Sequence, residues 1–406
     1  MPTKQSPTKG KNRVEAIDAL RGFAVLGILL ANIMSFSGVR FLPFTEIKLW
    51  PSFETDLMIY KLIGIFVDTK FYTIFSLLFG IGFYFQFHKN RNNQAEFMPI
   101  YYRRLGFLIL FGAIHSFFWS GDILMIYAFV GFLFTLFRNL KPKQLFTVSA
   151  LAFMMPLLID IFMLMWKPGF MNPEKSLALK THLDIEPTQL VEPFMNGSFW
   201  EVTKMNWHNL LWRWFDLLPS GRPFKLLSLF ILGYYLMYTG YFQEKAHSVK
   251  RLVIYSILGL GLTLLSKQVG GSMGQFPSTW NDILYKFLFS FGQINMAFAY
   301  ISIITILYKT KIGENMMSGL KFAGRMSFTS YLSHTFFGIL IFYPYALGYF
   351  GKITLWQAEI IAVIIFILQV YLAKLWLKYY TFGPLEWLWR SLTYGKFLSM
   401  KKEDKS

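Results

Sequence analysis

Several residues of this 406-residue chain have chemistry that does not match their surroundings. Three lie in the stretch IDALRGFAVLGILLAN, which is apolar except for Asp18, Arg21 and Asn32. Asp18 and Arg21 are three positions apart and so share a helix face. Asn32 stands 11 positions beyond Arg21. That is close to three turns, on the same face and roughly 16 Å further along the axis. An ionised group in hydrocarbon costs at least about 2.5–3.5 kcal/mol on insertion scales. These residues are therefore expected to meet a partner, the bundle interior or a water-filled cavity. The structural alternative is an Asp18–Arg21 pair snorkelling to water, with Asn32 as interhelical glue.

A second stretch, RRLGFLILFGAIHSFFWSGD, repeats the pattern. Arg104 and His115 are again 11 apart and share a face, Asp122 follows the apolar run, and Tyr127 lies a turn or two further on. Asp68 opens another apolar run on the same side of the bundle. An imidazole beside a carboxylate is what a general base needs, because the carboxylate fixes the tautomer and stabilises the imidazolium. A third stretch, GRMSFTSYLSHTFF, places Ser327, Tyr331 and His334 at i, i+4 and i+7, with Arg325 ahead of them. His334 is either a second candidate base or a structural histidine hydrogen-bonded to that hydroxyl stripe. The sorting suggests a basic mouth (Arg21, Arg103, Arg104, Arg325) at one end and a polar group (Asn32, Asp68, His115, Asp122) at the other. Arginines suit a phosphate-rich ligand, and a His–Asp pair suits proton abstraction from a hydroxyl or amine. An acyl-CoA fits both as a co-substrate, without any tightly bound cofactor.

The elements that must position these residues are membrane spans. The chain is 54% hydrophobic and 15% charged, against about 25% charged in soluble domains. Run lengths predict an all-α polytopic protein with about ten spans, near 15–37, 66–87, 104–119, 122–138, 145–165, 224–242, 252–268, 283–307, 327–349 and 355–378. Segment 53–65 reads as an amphipathic lead-in. The net charge of +18 points to basic cytoplasmic loops beside an anionic leaflet rather than to nucleic acid. Arg91, Arg103, Arg138, Lys141, Lys250, Lys311 and Lys402 all fall in loops on one side, and the turns at Gly121-Asp122 and Gly270-Gly271 on the other are poor in basic residues. Both termini are therefore expected in the cytoplasm.

The implied organisation is a basic cytoplasmic N-terminus (1–14), a membrane half (15–165), an extracytoplasmic loop (166–223), a second membrane half (224–396) and a cytoplasmic tail (397–406). Residues 15–37 read as an uncleaved first span, since the run is too long and too charged for a signal peptide. The loop carries Pro168, Pro173, Pro187 and Pro193, which predict irregular structure. It ends in NWHNLLWRWFDLLP, expected as an interfacial helix with Trp207, Trp212 and Trp214 at headgroup depth. The absence of cysteine excludes disulfides, thiolate metal sites and a cysteine nucleophile. No Walker A, dinucleotide or zinc-protease motif is present.

Several segments resemble the YeiB-like family of bacterial integral membrane proteins, labelled domain of unknown function 418. They are IDALRGFAVLGILLANI, FYTIFSLLFGIGFYF, RRLGFLILFGAIHSFF with GDILMIYAFVG, GRMSFTSYL and FGPLEWLWRSLTYGK. The Asp18-x-x-Arg21-Gly22 pattern also resembles the first-span motif of acyltransferase-3 proteins and of the heparan glucosaminide acetyltransferase. SFTSYLSH resembles a late acyltransferase-3 motif. The resemblance implies an acyltransferase-like bundle in the bacterial cytoplasmic membrane. Its activity would move an acyl group, acetyl in the first instance, from cytosolic acyl-CoA to an envelope glycan or lipid. Two departures stand out. Acyltransferase-3 proteins carry a histidine where this chain has Asn32, and no histidine precedes Asp68. The base would then be His115, oriented by Asp122 or Asp68, or else His334. Arg21 and Arg325, helped by Arg104, would bind the donor. The competing expectation is a transporter or exporter of a small anionic or amphipathic molecule. Its helix breaks would fall at Gly80-Ile81-Gly82 and Gly259-Leu260-Gly261, although no repeat is visible.

Overall fold

The computed structural model describes residues 15–166, 187–246, 248–271 and 277–402. Among these the chain is helical, with one isolated antiparallel bridge between Tyr380 and Lys401. The first half contains α1 (Glu15–Phe36), α2 (Phe44–Ile47), α3 (Phe53–Phe66), α4 (Lys70–Lys89), α5 (Gln94–Phe118), α6 (Leu124–Phe134) and α7 (Pro142–Trp166). After α8 (Pro187–Asn196) and α9 (Phe199–Phe215) come α10 (Arg222–Tyr238), α11 (Tyr241–Glu244), α12 (Val249–Gln268) and α13 (Trp280–Leu307). The chain continues through α14 (Lys311–Arg325), α15 (Ser327–Phe342), α16 (Leu355–Tyr379) and α17 (Pro384–Tyr394).

Seven segments are long and apolar enough to cross a membrane: Glu15–Phe36, Phe53–Lys89, Arg91–Phe118, Pro142–Trp166, Val249–Gln268, Trp280–Leu307 and Leu355–Tyr379. Three of the ten expected spans fall on shorter helices. α6 has 11 residues, α10 has 17 and α15 has 16. At 1.5 Å per residue these reach about 16, 25 and 24 Å, less than the ~30 Å of a hydrocarbon core. α6 stops early because its last turn tightens into the 3-10 helix Thr135–Phe137. Run length counts such turns as span, whereas continuous α-helix does not.

The surface is apolar and the interior partly polar, the reverse of a soluble domain. α16 exposes Ile364, Ile367 and Tyr371, and α12 exposes Ile257 and Leu265. The hydrogen bonds Ser149–Ser228, Ser76–Tyr127 and Lys225–Gln293 lie inside. Hydrocarbon accepts such an exterior, and it requires every backbone polar group to be satisfied within a helix. The polar residues in the apolar runs consequently turn inward.

α1 sits at the centre, with Leu20, Leu29, Ile33 and Phe36 fully buried, and packs on α4, α14, α15 and α16. Glycine makes its closest contacts possible. A Cβ on Gly22 would overlap the Leu320 carbonyl oxygen of α14, and one on Gly324 would overlap that of Asp18. Gly80 of α4 lies against the Phe230 carbonyl of α10, and Gly233 of α10 against that of Leu77. Small residues let backbones meet where no hydrophobic drive between helices exists. The expected breaks at Gly80 and Gly259 are therefore corrected: both lie in uninterrupted helices, and Gly259 packs on Met296.

Of the prolines expected in irregular backbone, Pro187 and Pro193 lie in α8, while Pro168 and Pro173 fall outside the described residues. A helix is present where the interfacial one is expected, as α9, opened by a Ser198–Glu201 capping box. The lead-in is α3. It is separated from α4 by Thr69, whose φ of +67° is unusual for a β-branched residue. Lys70 closes the break by donating to the Gly64 carbonyl at 2.8 Å.

The C-terminal segment fastens the opposite end of the bundle. Glu386 of α17 accepts hydrogen bonds from the Phe328 and Thr329 N–H groups at 2.7 and 3.0 Å and from the Thr329 hydroxyl at 2.6 Å. It thereby satisfies the free N-terminus of α15. Burial pushes its carboxyl up, against the opposing pull of the Thr329 hydrogen bonds. We predict that Glu386→Ala lowers stability by about 1–3 kcal/mol, while Glu386→Gln, which keeps an acceptor oxygen, loses clearly less. Thermal unfolding in detergent checks this, and equal losses in the two variants contradict the capping role.

Candidate functional site

α5 ends at Phe118, and the chain turns back through Gly121-Asp122 into α6. That turn places Asp122 beside His115. The imidazole Nδ1 and Asp122 Oδ1 are 2.8 Å apart. The other carboxylate oxygen accepts the Met125 N–H at 3.0 Å, which fixes the rotation of Asp122 at the start of α6. On its far side His115 Nε2 lies 2.7 Å from the Thr335 hydroxyl of α15. With Asp122 ionised, Nδ1–H donates to it, and Nε2 accepts the hydroxyl proton of Thr335. The rings of Trp119 and Tyr331 stand edge-on around the imidazole. His115 is 5% exposed, so the chain of three is nearly dry.

α9 pins this turn. Asn206 donates to the Phe118 carbonyl at 2.9 Å and accepts the Ser120 N–H at 3.4 Å. Arg213 donates to the Ser120 carbonyl. Tyr331 adds a link from α15 by accepting the Ile123 N–H at 3.3 Å.

Asp122 also faces a cavity of 1420 Å³. The cavity lies where α1, α7 and α12 end and where α4, α10 and α13 begin. Asn32 and Asp68 line it, so three of the four polar residues expected at this end share one wall. The fourth, His115, is tied to that wall through Asp122. Asp68 is not bonded to His115.

The sequence reading did not single out the cavity's cations. Lys286 is 2.7 Å from Asp160, and Arg222 is 3.8 Å from Asp216. Lys225 donates to Gln293 at 2.7 Å and Lys267 to the Tyr285 hydroxyl at 3.1 Å. Their signal in the sequence was the ionisable residue in or beside an apolar run, the same feature that marked Asp18 and His115. Thr335 carried no such signal.

The remaining expected residues occupy the other end. Arg21 binds Asp18 at 2.9 Å, is 24% exposed, and reaches toward Gly82 of α4. Arg104 lies flat on the Trp389 ring at 3.8 Å, and that indole donates to the Arg104 carbonyl. Arg325 donates to the Thr381 carbonyl at 3.3 Å, and Arg103 borders Gly395. Arg103, Arg104 and Arg325 thus lie at α17 and its flanks, while Arg21 lies between α1 and α4. None of these arginines lines the cavity.

His334 is buried at 1% exposure, with both ring nitrogens lacking a hydrogen-bond partner. The expected hydrogen bonds to Ser327 and Tyr331 are not formed, because the Tyr331 hydroxyl turns to Ile123 and its ring meets His334 edge-on. Among the described residues no group of three or more His, Asp or Glu side chains has metal-site geometry.

Residues 236–396 match the profile of a family described as "Protein of unknown function (DUF418)". The chain is 29% identical to "Uncharacterized protein YxaH" of Bacillus subtilis (strain 168), over 98% of each chain. It is 28% identical to an uncharacterized 39.9 kDa protein in the amylase 3' region of Bacillus acidopullulyticus, over 96% of this chain and 97% of the relative. It is 25% identical to "Uncharacterized protein YeiB" of Escherichia coli (strain K12), over 93% and 95%. No solved structure matches it.

If Asp122, His115 and Thr335 act as one unit, their substitutions are coupled. We predict that Asp122→Asn with Thr335→Val departs from additivity by about 0.5–3 kcal/mol. SDS-titrated unfolding in mixed micelles measures this, and simple additivity contradicts the unit.

Proposed function

Since the chain is a YeiB-like member of the DUF418 family, we propose that it is a multi-pass acyltransferase of the bacterial cytoplasmic membrane. It moves an acyl group, acetyl in the first instance, from cytosolic acyl-CoA to an envelope glycan or lipid. The observation that carries this reading is the Asp122–His115–Thr335 chain, whose carboxylate forms part of the cavity wall.

In this reading the bundle crosses the membrane ten times, α6, α10 and α15 serving as short spans within protein, and both termini are cytoplasmic. The cavity then faces outward and the arginines inward, as the basic loops require. The acceptor hydroxyl takes the position at Nε2 that the Thr335 hydroxyl marks. His115 removes its proton, Asp122 stabilises the imidazolium, and the acceptor oxygen attacks the thioester carbonyl. The carbon–sulfur bond breaks, and CoA leaves as the thiol with the proton that His115 returns.

Arg21 and Arg325 bind donor phosphates in this scheme. Arg104, stacked on Trp389, holds the C-terminal helix beside them. His334 has no carboxylate on either ring nitrogen, whereas His115 is paired with Asp122 of the cavity wall, so His115 is the base. The charged cavity also suits the transport reading, an exporter of a small anion or amphiphile. Flux that follows a proton gradient, without CoA binding, would select it.

Calorimetric titration of the detergent-purified protein with acetyl-CoA tests the assignment. Saturable binding is expected, weakened about tenfold by Arg21→Ala and preserved in His115→Ala. Absence of binding by the folded protein would overturn the donor assignment.

A further inference from the structure

The cavity carries positive charge that its own walls do not balance. Lys286 and Arg222 have carboxylates within 4 Å, but Lys225 and Lys267 do not. Behind them Lys70 is fully buried, with its ammonium 4.9 Å from the Phe289 ring centre, and Lys267 lies against the same ring at 5.4 Å. Lys70 is close enough to repel both Lys225 and Lys267, and Asp68 is the carboxylate that faces Lys70 and Lys225. Three cations against one anion leave an excess of positive charge at the end of an apolar bundle. Unbalanced buried charge is costly, and a bound anion offsets that cost.

The donors are arranged to be shared. An ammonium group has three N–H donors. Lys225 places one on Gln293 and Lys267 one on the Tyr285 hydroxyl. Each keeps donors for a ligand, and phosphate oxygens are the acceptors that clustered ammonium groups suit.

The rest of the wall sets the size and character of the occupant. Phe153, Leu157, Leu226, Leu264 and Phe291 line the space around the lysines. Its 1420 Å³ exceeds the ~300–1,000 Å³ of most small-molecule sites. A free phosphate ion would leave the apolar wall wet, whereas a hydrocarbon chain covers it. We infer that the cavity binds a lipid with a phosphate headgroup, the phosphate on Lys225 and Lys267 and the chain along Phe153, Leu157 and Leu264. This names the acceptor class of the proposed reaction and in that sense rests on it. The binding claim stands on the cavity alone and is measured without CoA.

Native mass spectrometry of the full chain, released from neutral detergent, tests it with three probes: dioleoyl phosphatidic acid, dioleoyl phosphatidylcholine and inorganic phosphate. The wild-type protein is expected to retain phosphatidic acid at about tenfold lower concentration than phosphatidylcholine. Lys225→Gln and Lys267→Gln each weaken that retention about tenfold, and Lys225→Arg preserves it. Equal retention of the two lipids overturns the inference. So does phosphatidic acid binding that survives the double Gln variant, or inorganic phosphate displacing the lipid at equal concentration. The wild-type comparisons hold even where a variant fails to fold. Lipid binding without acyl transfer would remove the enzymatic reading and leave the lipid site, and the converse result would do the opposite.

Discussion

An imidazole held between a carboxylate and a hydroxyl, in a medium that tolerates neither alone, is the constraint on which this bundle depends. Asp122 and His115 come from a turn and a helix end seven residues apart, and Thr335 from a helix middle 220 positions beyond His115. Each has its own fastening. α9 ties down the turn through Asn206 and Arg213, and Glu386 caps the start of α15. Tyr331 joins α15 to the turn directly. A buried polar chain is stabilising only when every member is satisfied, which accounts for the helices recruited to position three side chains.

Charge divides the molecule into two ends with different uses. At the end holding α17, arginines contact Asp18, the Trp389 ring and the Thr381 carbonyl. At the cavity end, lysines stand around open space, Lys286 paired with Asp160 and Lys225 facing Asp68. Between the ends runs the central helix α1, more than half of it buried, and Gly22 and Gly324 bring it against α14 with no side chain between them.

The parts legible in the sequence were those governed by local spacing. His115 and Asp122 are seven residues apart across a reversing turn, so their pairing follows once the turn is granted. Asp18 and Arg21 pair as a helix face requires. The run NWHNLLWRWFDLLP announced the helix α9. What stayed hidden depends on packing. Thr335 meets His115 across 220 positions, and no local pattern marks it among the other hydroxyls of α15. Glu386 caps another helix 57 positions away, which nothing local to its own segment shows. Gly80 suggested a helix break because a glycine in a helix is costly alone, whereas here it is where α4 and α10 touch. The cavity lysines lie far apart in sequence, and only the assembled helix ends bring them together.

The most direct test is the transfer of label from radiolabelled acetyl-CoA, supplied to the cytoplasmic face of membrane vesicles containing the protein, into the extracted lipid and glycan fractions. The account predicts CoA-dependent incorporation that is lost in His115→Ala while the variant remains folded and membrane-inserted. Incorporation unchanged in that variant would contradict the claim that the His115 chain is the reactive centre.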